Sequence, residues 1–239
     1  MTYELIVLLT LVCVVTYTFE IVFGLAGTII MVTLMSYFID AQVLVIYSAL
    51  PQLLVASIGL VRTPGHLHFK TLGTMLLFAS FGAIGGLWLF YYFSADVFRM
   101  LLAGAITVFG LYLVIAPGRL PLTPWLRRIL DTLSGVSQGL FGISGPIAMT
   151  RLLATFDNKT AVRNHALAFF LSMNLFRVGG YLLNGTFSAE IQVAMLWSAP
   201  VLAVSLWFAN HLHFKVNEQW FRRVVAWVIL AGGIAMLLT

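Results

Sequence analysis

Eight long apolar segments, separated by short polar loops, make up most of this chain. They run approximately over residues 3–39, 41–61, 71–93, 97–116, 126–156, 161–183, 188–210 and 219–238. A helix needs about 20 apolar residues to cross the hydrocarbon core of a bilayer, and these segments are that long or longer. With 61% hydrophobic and 9% charged residues, the chain has too few charges to cover a soluble surface. The sequence therefore predicts an all-α integral membrane protein.

Composition argues against several other classes. The net charge of +5 comes from Lys and Arg in loops, where they orient a membrane protein and need no nucleic acid to explain them. A single cysteine, Cys13, excludes an intramolecular disulfide and a cysteine-based metal cluster. Residues 66–70 and 211–215 repeat the sequence HLHFK, but their histidines lack the i, i+4 spacing of zinc motifs. We expect no metal, no cofactor and no nucleic acid, and a lipid bilayer as the surroundings.

Two glycine-rich breaks, here called elbows, indicate an internal duplication. The first elbow is residues 23–27 (FGLAG), the second is residues 141–145 (FGISG), and they are 118 residues apart. Later matches follow in the same order with a slowly growing offset, ending with Gly110 and Gly233 at 123. We therefore predict two repeats of four apolar segments each, residues 1–116 and 129–239, joined by a linker at 117–128.

Loop charges favour elbows that enter and leave on one face of the membrane. If all eight segments crossed, the loop Lys and Arg would divide five to six between the two sides. If the two elbow segments are re-entrant and six segments cross, they divide ten to one, with Arg99 alone outside. The positive-inside rule expects such a bias. Three crossings per repeat would make the repeats inverted, a recurrent transporter plan. Eight plain crossings remain the alternative.

Each elbow is a candidate anion-binding site. Irregular backbone at membrane depth must be buried in protein or line a watery cavity. Residues 28–39 and 146–156 are then half-helices whose N-terminal amides attract an anion. In the second elbow we expect Gly142, Ser144 and Gly145 to bind substrate. In the first elbow the corresponding candidates are Gly24, Gly27 and Thr28. The alternative is that these glycines only permit close helix packing, as Gly82 and Gly86 are expected to do.

Three polar residues of the segment 161–183 share one helical face: Asn174, Arg177 and Tyr181. An arginine inside the membrane is costly and usually points inward, so Arg177 and Asn174 are candidate substrate ligands. Because Arg177 is near the segment end, its side chain could instead reach toward the membrane surface, that is, snorkel. We expect snorkelling for Arg151. Glu20 precedes the first elbow by one helical turn and is the candidate proton carrier.

The two halves, the F-G-x-x-G elbows and the Asn174-x-x-Arg177-x-x-x-Tyr181 pattern resemble the TauE/SafE family of sulfite exporters. The resemblance implies a multi-pass secondary transporter of the bacterial inner membrane, without enzymatic activity. It further implies a small sulfur-containing anion, such as sulfite or an organosulfonate, as substrate, with export coupled to protons. A homo-oligomer is compatible with it. The first elbow, with only two glycines, departs from the family pattern.

Two other functions fit parts of the sequence. Residues 142–145 (GISG) match the G-x-S-G of rhomboid serine proteases, which would make Ser144 the nucleophile of an intramembrane hydrolase. A non-catalytic membrane subunit would need no polar residues in its interior. Tolerance of apolar replacements at Glu20, Asn174 and Arg177 would distinguish it from a transporter.

Overall fold

The structure is a computed structural model that describes residues 2–23, 26–62, 67–115, 122–209 and 218–238. All regular structure in these residues is α-helical, which confirms the predicted class. The helices are α1 (Tyr3–Phe23), α2 (Gly27–Met35), α3 (Ala41–Tyr47), α4 (Ala49–Arg62), α5 (Phe69–Tyr92), α6 (Ala95–Ile115), α7 (Pro124–Phe141), α8 (Gly145–Leu153), α9 (Lys159–Leu183), α10 (Ala189–Ala209) and α11 (Glu218–Leu238).

Six stretches of the described residues are long and apolar enough to cross a membrane, so the protein is a multi-pass membrane protein. They are Tyr3–Ile21, Ala41–Val61, Phe69–Tyr92, Ala95–Ile115, Thr160–Leu183 and Ala189–Ala209. These are not the same six that the charge argument selects. α1 is included although it is one leg of the first predicted elbow, and α11 contributes only the shorter stretch Ala226–Leu238. Re-entrance of the elbow segments therefore remains a prediction.

A proline explains why the second apolar segment is two helices. Pro51 has no N–H to donate to the carbonyl of Tyr47, one turn earlier, and its ring crowds that carbonyl. α3 ends at Tyr47 and α4 begins at Ala49, with Ser48 between them. At the start of α3 the Asp40 carboxylate accepts the backbone N–H of Gln42 at 2.8 Å, as an N-cap should.

The helices form two compact units. The first unit contains Met1–Pro51, Phe93–Ala116 and Ser188–Thr239. In it α11 packs along α6, and α10 packs against α1. α2 contacts both α1 and α11. A β-carbon on Gly110 would collide with the backbone of Leu230, and one on Gly233 would collide with the backbone of Thr107. These glycines therefore let α6 and α11 approach closely.

The second unit contains Gln52–Tyr92 and Pro117–Phe187. Its largest interface joins α5 and α7, and α9 contacts α5, α7 and α8. Gly82 and Gly86 of α5 lie against the backbone of α7, while Gly135 and Gly139 of α7 lie against that of α5. The packing role predicted for Gly82 and Gly86 is therefore confirmed.

Packing inside the units repeats between the two sequence halves, as a duplication would require. The offset of 123 residues that relates Gly110 to Gly233 also relates Thr107 to Leu230, so one contact between α6 and α11 is made twice. Likewise α1 packs on α10 in the first unit, and α7 packs on α5 in the second. Each unit thus draws helices from both halves. The repeat boundaries stay a prediction, and residues 124–128 of the predicted linker belong to α7.

Candidate functional site

The second elbow is built around a left-handed glycine. α7 ends at Phe141, and Gly142 follows with φ of 68° and ψ of 19°. Its N–H donates to the carbonyl of Gln138 at 3.0 Å, which closes the helix as an αL cap does. Glycine adopts this conformation without the clash that a β-carbon causes, so the elbow turns where the sequence predicts.

The two legs of this elbow are tied together by a buried ion pair. Asp131 of α7 and Arg151 of α8 are 1% and 5% exposed, and Nε of the arginine lies 3.3 Å from Oδ1 of the aspartate. These residues are ten positions before and after Phe141, so α8 must fold back along α7 to bring them together. The snorkelling predicted for Arg151 is therefore wrong, because an acid on the neighbouring helix holds its guanidinium inside.

Two backbone carbonyl groups of the elbow accept hydrogen bonds from side chains. Gln52 of α4 donates its Nε2–H to the carbonyl of Gly142 at 2.8 Å. The hydroxyl of Ser137 donates to the carbonyl of Ile143. The first N–H groups of a helix have no acceptor within the helix, and Gly145 begins α8. The elbow therefore offers hydrogen-bond donors, while two of its acceptors are already used.

Ser144 and Pro146 shape the start of α8. Ser144 is the N-cap residue and is 2% exposed, yet its hydroxyl makes no capping bond. Its Oγ has no hydrogen-bond partner among the described residues. Pro146 stands in the first turn, where a missing N–H is no loss. A hydrolase with Ser144 as its nucleophile stays an alternative prediction.

Arg177 of α9 brings a positive charge to this elbow. The residue is 1% exposed, so its side chain points into the protein and does not snorkel. Its guanidinium lies where a β-carbon on Gly142 would be. The guanidinium carbon is 5.8 Å from the ring centroid of Tyr181, within the range of a cation–π contact. The Asn174–Arg177–Tyr181 face predicted from the sequence is buried throughout.

Three buried side-chain amides, from α4, α7 and α9, are joined by hydrogen bonds next to the elbow. Gln138 donates its Nε2–H groups to Oδ1 of Asn174 at 3.0 Å and to Oε1 of Gln52 at 3.3 Å. Asn174 in turn donates to the carbonyl of Phe170 at 2.9 Å. The oxygen and the amide nitrogen of Asn174 are thus both engaged by protein. The predicted role of Asn174 as a substrate ligand stays a prediction.

The first elbow has a different chemistry, because an acid of the protein already lies there. A carboxylate oxygen of Glu20 accepts the N–H of Thr28 at 3.1 Å, in the first turn of α2. A β-carbon on Gly27 would collide with the same oxygen. The hydroxyl of Thr28 pairs with that of Tyr17 at 3.0 Å. Gly24 lies outside the described residues. Of the first-elbow candidates, Gly27 and Thr28 therefore contact Glu20 in this structure.

The structure thus gathers Gly142, Ser144, Gly145 and Arg177 around one elbow, and Glu20, Gly27 and Thr28 around the other. The role of Gln52 is not visible from the sequence, because its partner is 90 positions away in the chain. The described residues contain no group of three His, Cys, Asp or Glu side chains able to hold a metal ion. His66, His211 and His213 lie outside the described residues.

The profile of the sulfite exporter TauE/SafE family matches residues 9–236, nearly the whole chain. Neither a curated protein nor a solved structure shows significant similarity to the chain.

Proposed function

The chain belongs to the sulfite exporter TauE/SafE family, a family of membrane transporters, and on that premise we propose that it binds its anionic substrate at the second elbow. The substrate is sulfite or a related small sulfur-containing anion, exported across a bacterial inner membrane. Gly142, Ser144, Gly145 and Arg177 form the binding site. Glu20 carries the coupled proton.

The observation that carries this proposal is the position of the Arg177 guanidinium against Gly142, three residues before α8 begins. A buried guanidinium is costly in a membrane and persists where it has a use. Its planar fork suits the oxygens of an oxyanion, which accept two parallel N–H bonds. The positive end of the α8 dipole and the hydroxyl of Ser144, which has no partner among the described residues, favour the same ligand. The elbow and the neighbouring helix α9 therefore supply three kinds of donor for one anion.

Glu20 suits coupling because its carboxyl group accepts a hydrogen bond at the first elbow. Its hydrogen bond with the N–H of Thr28 is charge-assisted only while the carboxylate is ionised. Protonation weakens the attraction to the N-terminus of α2 and lets the side chain leave. A proton entering this site therefore changes how α1 and α2 are held together. Each elbow has its own task in this proposal, substrate in the second and proton in the first.

The proposal includes inverted repeats with re-entrant elbows. The buried pair of Asp131 and Arg151 supports a hairpin in the second elbow, because it keeps α8 against α7. The charge bias of the loops supports the orientation, with the basic loops in the cytoplasm. A homo-oligomer remains compatible with this arrangement.

Transport by the purified protein in liposomes tests the proposal. We expect sulfite to move across the membrane, faster with a pH gradient than without one, and to compete with small sulfonates. Liposomes without protein and liposomes loaded with the Arg177→Gln variant serve as controls. Sulfite flux equal to that of empty liposomes under both conditions would reject a sulfite transporter.

A further inference from the structure

The ring of Tyr181 is a fixed surface inside the second unit. Tyr181 lies on α9, one helical turn after Arg177, and its side chain is fully buried. The ring centroid of Phe90, on α5, is 5.6 Å away, and that of Phe187 is 5.9 Å away at an interplanar angle of 85°. Interiors are packed closely enough that a buried ring held against two others keeps one orientation. The Tyr181 ring therefore presents a constant face to its neighbours.

The guanidinium of Arg177 contacts both this ring and the second elbow. Its central carbon lies over the Tyr181 ring, 5.8 Å from the centroid. Its Nη1 lies where a β-carbon on Gly142 would be. The negative face of an aromatic ring attracts a cation, and arginine is the residue that most often makes this contact. Tyr181 thus favours the orientation in which the guanidinium reaches the elbow.

The ring of Tyr181, and not its hydroxyl, makes this contact. The phenolic oxygen is buried and has no hydrogen-bond partner among the described residues. The hydroxyl therefore does not hold Arg177 by a hydrogen bond in this structure. A phenylalanine at this position would present the same ring face, and it would not bury an oxygen that lacks a donor or acceptor.

We propose that Tyr181 is a positioning residue of the anion site at the second elbow. An arginine side chain has many rotamers, and ordering them when the anion binds would lower affinity. The ring of Tyr181 holds the guanidinium in place before the anion arrives, so that its planar fork is ready for an oxyanion. This inference rests on the proposed function of the second elbow. It adds Tyr181 to the residues that determine sulfite affinity, although Tyr181 itself does not touch the anion.

Fluorinated rings at position 181 test the proposal at nearly constant shape. Fluorine withdraws electron density from the ring face, so each added fluorine weakens the attraction for a cation. We expect Tyr181→Phe to keep the KM for sulfite of the unsubstituted protein in proteoliposomes. Monofluorophenylalanine and trifluorophenylalanine should raise the KM in that order, the latter by roughly three- to thirty-fold. The maximal rate should change by less than about two-fold, because binding is what weakens. A KM independent of fluorination would overturn the proposal.

Removal of the ring supplies a second measurement. Tyr181→Leu loses the aromatic face altogether and should raise the KM for sulfite at least as much as trifluorophenylalanine does. Phe169→Leu is the matched control, because Phe169 is also fully buried on α9 but lies in an apolar cluster with Leu72 and Met75 of α5. It should lower the unfolding temperature and leave the KM unchanged. Equal KM values for the two folded variants would show that Tyr181 has only a packing role.

Arg177→Gln distinguishes failure of this inference from failure of the proposed function. Fluorination should have no effect on the KM when Arg177→Gln is also present, because no cation then lies over the ring. An effect that persists without the arginine would assign the ring to another contact and overturn the proposal. If Arg177→Gln impairs sulfite transport while fluorination leaves the KM unchanged, the anion site stands and Tyr181 does not position it. If Arg177→Gln transports normally, the anion site itself is wrong.

Discussion

The guanidinium of Arg177 occupies the space into which a β-carbon at Gly142 would project. Glycine is thus required at this position for two reasons. Its φ of 68° lies in the left-handed region, and its missing side chain makes room for the arginine. The same residue that turns the chain at the elbow also admits the positive charge to it. Both the turn of the elbow and the position of its positive charge therefore depend on the absence of a β-carbon at Gly142.

The variant Gly142→Ala should lose sulfite transport and stability together. Alanine at positive φ is strained by about 1–2 kcal/mol, and its β-carbon would displace the guanidinium. Gly179→Ala on α9 is the matched control, because nothing lies within 4 Å of a β-carbon there. It should transport normally and be equally or more stable, since alanine favours a helix. Thermal unfolding and liposome flux measure both effects. Normal transport by Gly142→Ala would mean that Arg177 need not lie at the elbow.

The variant Glu20→Gln should still transport sulfite but lose its response to a pH gradient. Glutamine keeps an oxygen that can accept the N–H of Thr28, so the fold around α2 should survive, but it cannot exchange a proton. Glu4→Gln is the control, because Glu4 is an exposed acid on the same helix. Flux measured with and without the gradient gives the answer. A gradient that accelerates Glu20→Gln as much as the unsubstituted protein would assign the proton to another group.

The variant Asp131→Asn should loosen the hairpin of α7 and α8. It leaves the buried charge of Arg151 without its acid, and loss of one member of a buried pair costs about 3–5 kcal/mol. Adding Arg151→Met removes that charge and should recover a large part of the loss. Asp96→Asn, on the exposed first turn of α6, should cost under about 1 kcal/mol. Denaturant unfolding in detergent compares the four proteins. Equal stability of Asp131→Asn and Asp96→Asn would argue against the ion pair as a tie.

Single cysteines test the orientation of the repeats. After Cys13 is replaced, cysteines at Ser94 and Thr186 should react with an impermeant reagent from outside, and one at Thr123 from the cytoplasm. Re-entrant elbows place Ser94 and Thr186 on one side. Eight plain crossings would place Thr186 with Thr123 instead. Labelling of Thr186 and Thr123 from the same side would therefore reject the inverted arrangement.

Periodicity in the sequence predicts much of the second elbow. The spacing of Asn174, Arg177 and Tyr181 puts them on one helical face, and glycine at 142 and proline at 146 mark the turn and the new helix. These signals are local, because each depends on residues within two helical turns. The face is buried as predicted, and the helix begins at Gly145, one residue before the predicted start at 146.

The amide chain behind the elbow is not predictable in the same way. Gln52, Gln138 and Asn174 come from three helices, and their hydrogen bonds depend on packing between α4, α7 and α9. Nothing in the sequence shows that Asn174 uses its polar atoms on protein groups. Its position on the same face as Arg177 predicts a substrate ligand, and the hydrogen bonds with Gln138 and Phe170 are what the structure adds.

Arg151 shows the opposite failure of local reasoning. A long basic side chain near a segment end is expected to reach toward water. Asp131 lies 20 positions earlier, and only the folding back of α8 on α7 makes it a neighbour. For Glu20 local reasoning was nearer to the observed contacts, since its partner Thr28 is only eight positions away.

Sulfite flux through proteoliposomes containing Arg177 variants tests the central claim most directly. Arg163, an exposed arginine on the same helix, supplies the control Arg163→Gln. We expect Arg177→Gln to reduce sulfite transport by roughly ten- to a hundred-fold, because it loses charge-assisted hydrogen bonds to the anion. The transport rate of Arg177→Lys should lie between those of Arg177→Gln and the unsubstituted protein. Arg163→Gln should transport at the unsubstituted rate. Arg177→Gln moving sulfite as fast as Arg163→Gln would contradict an anion site at the second elbow.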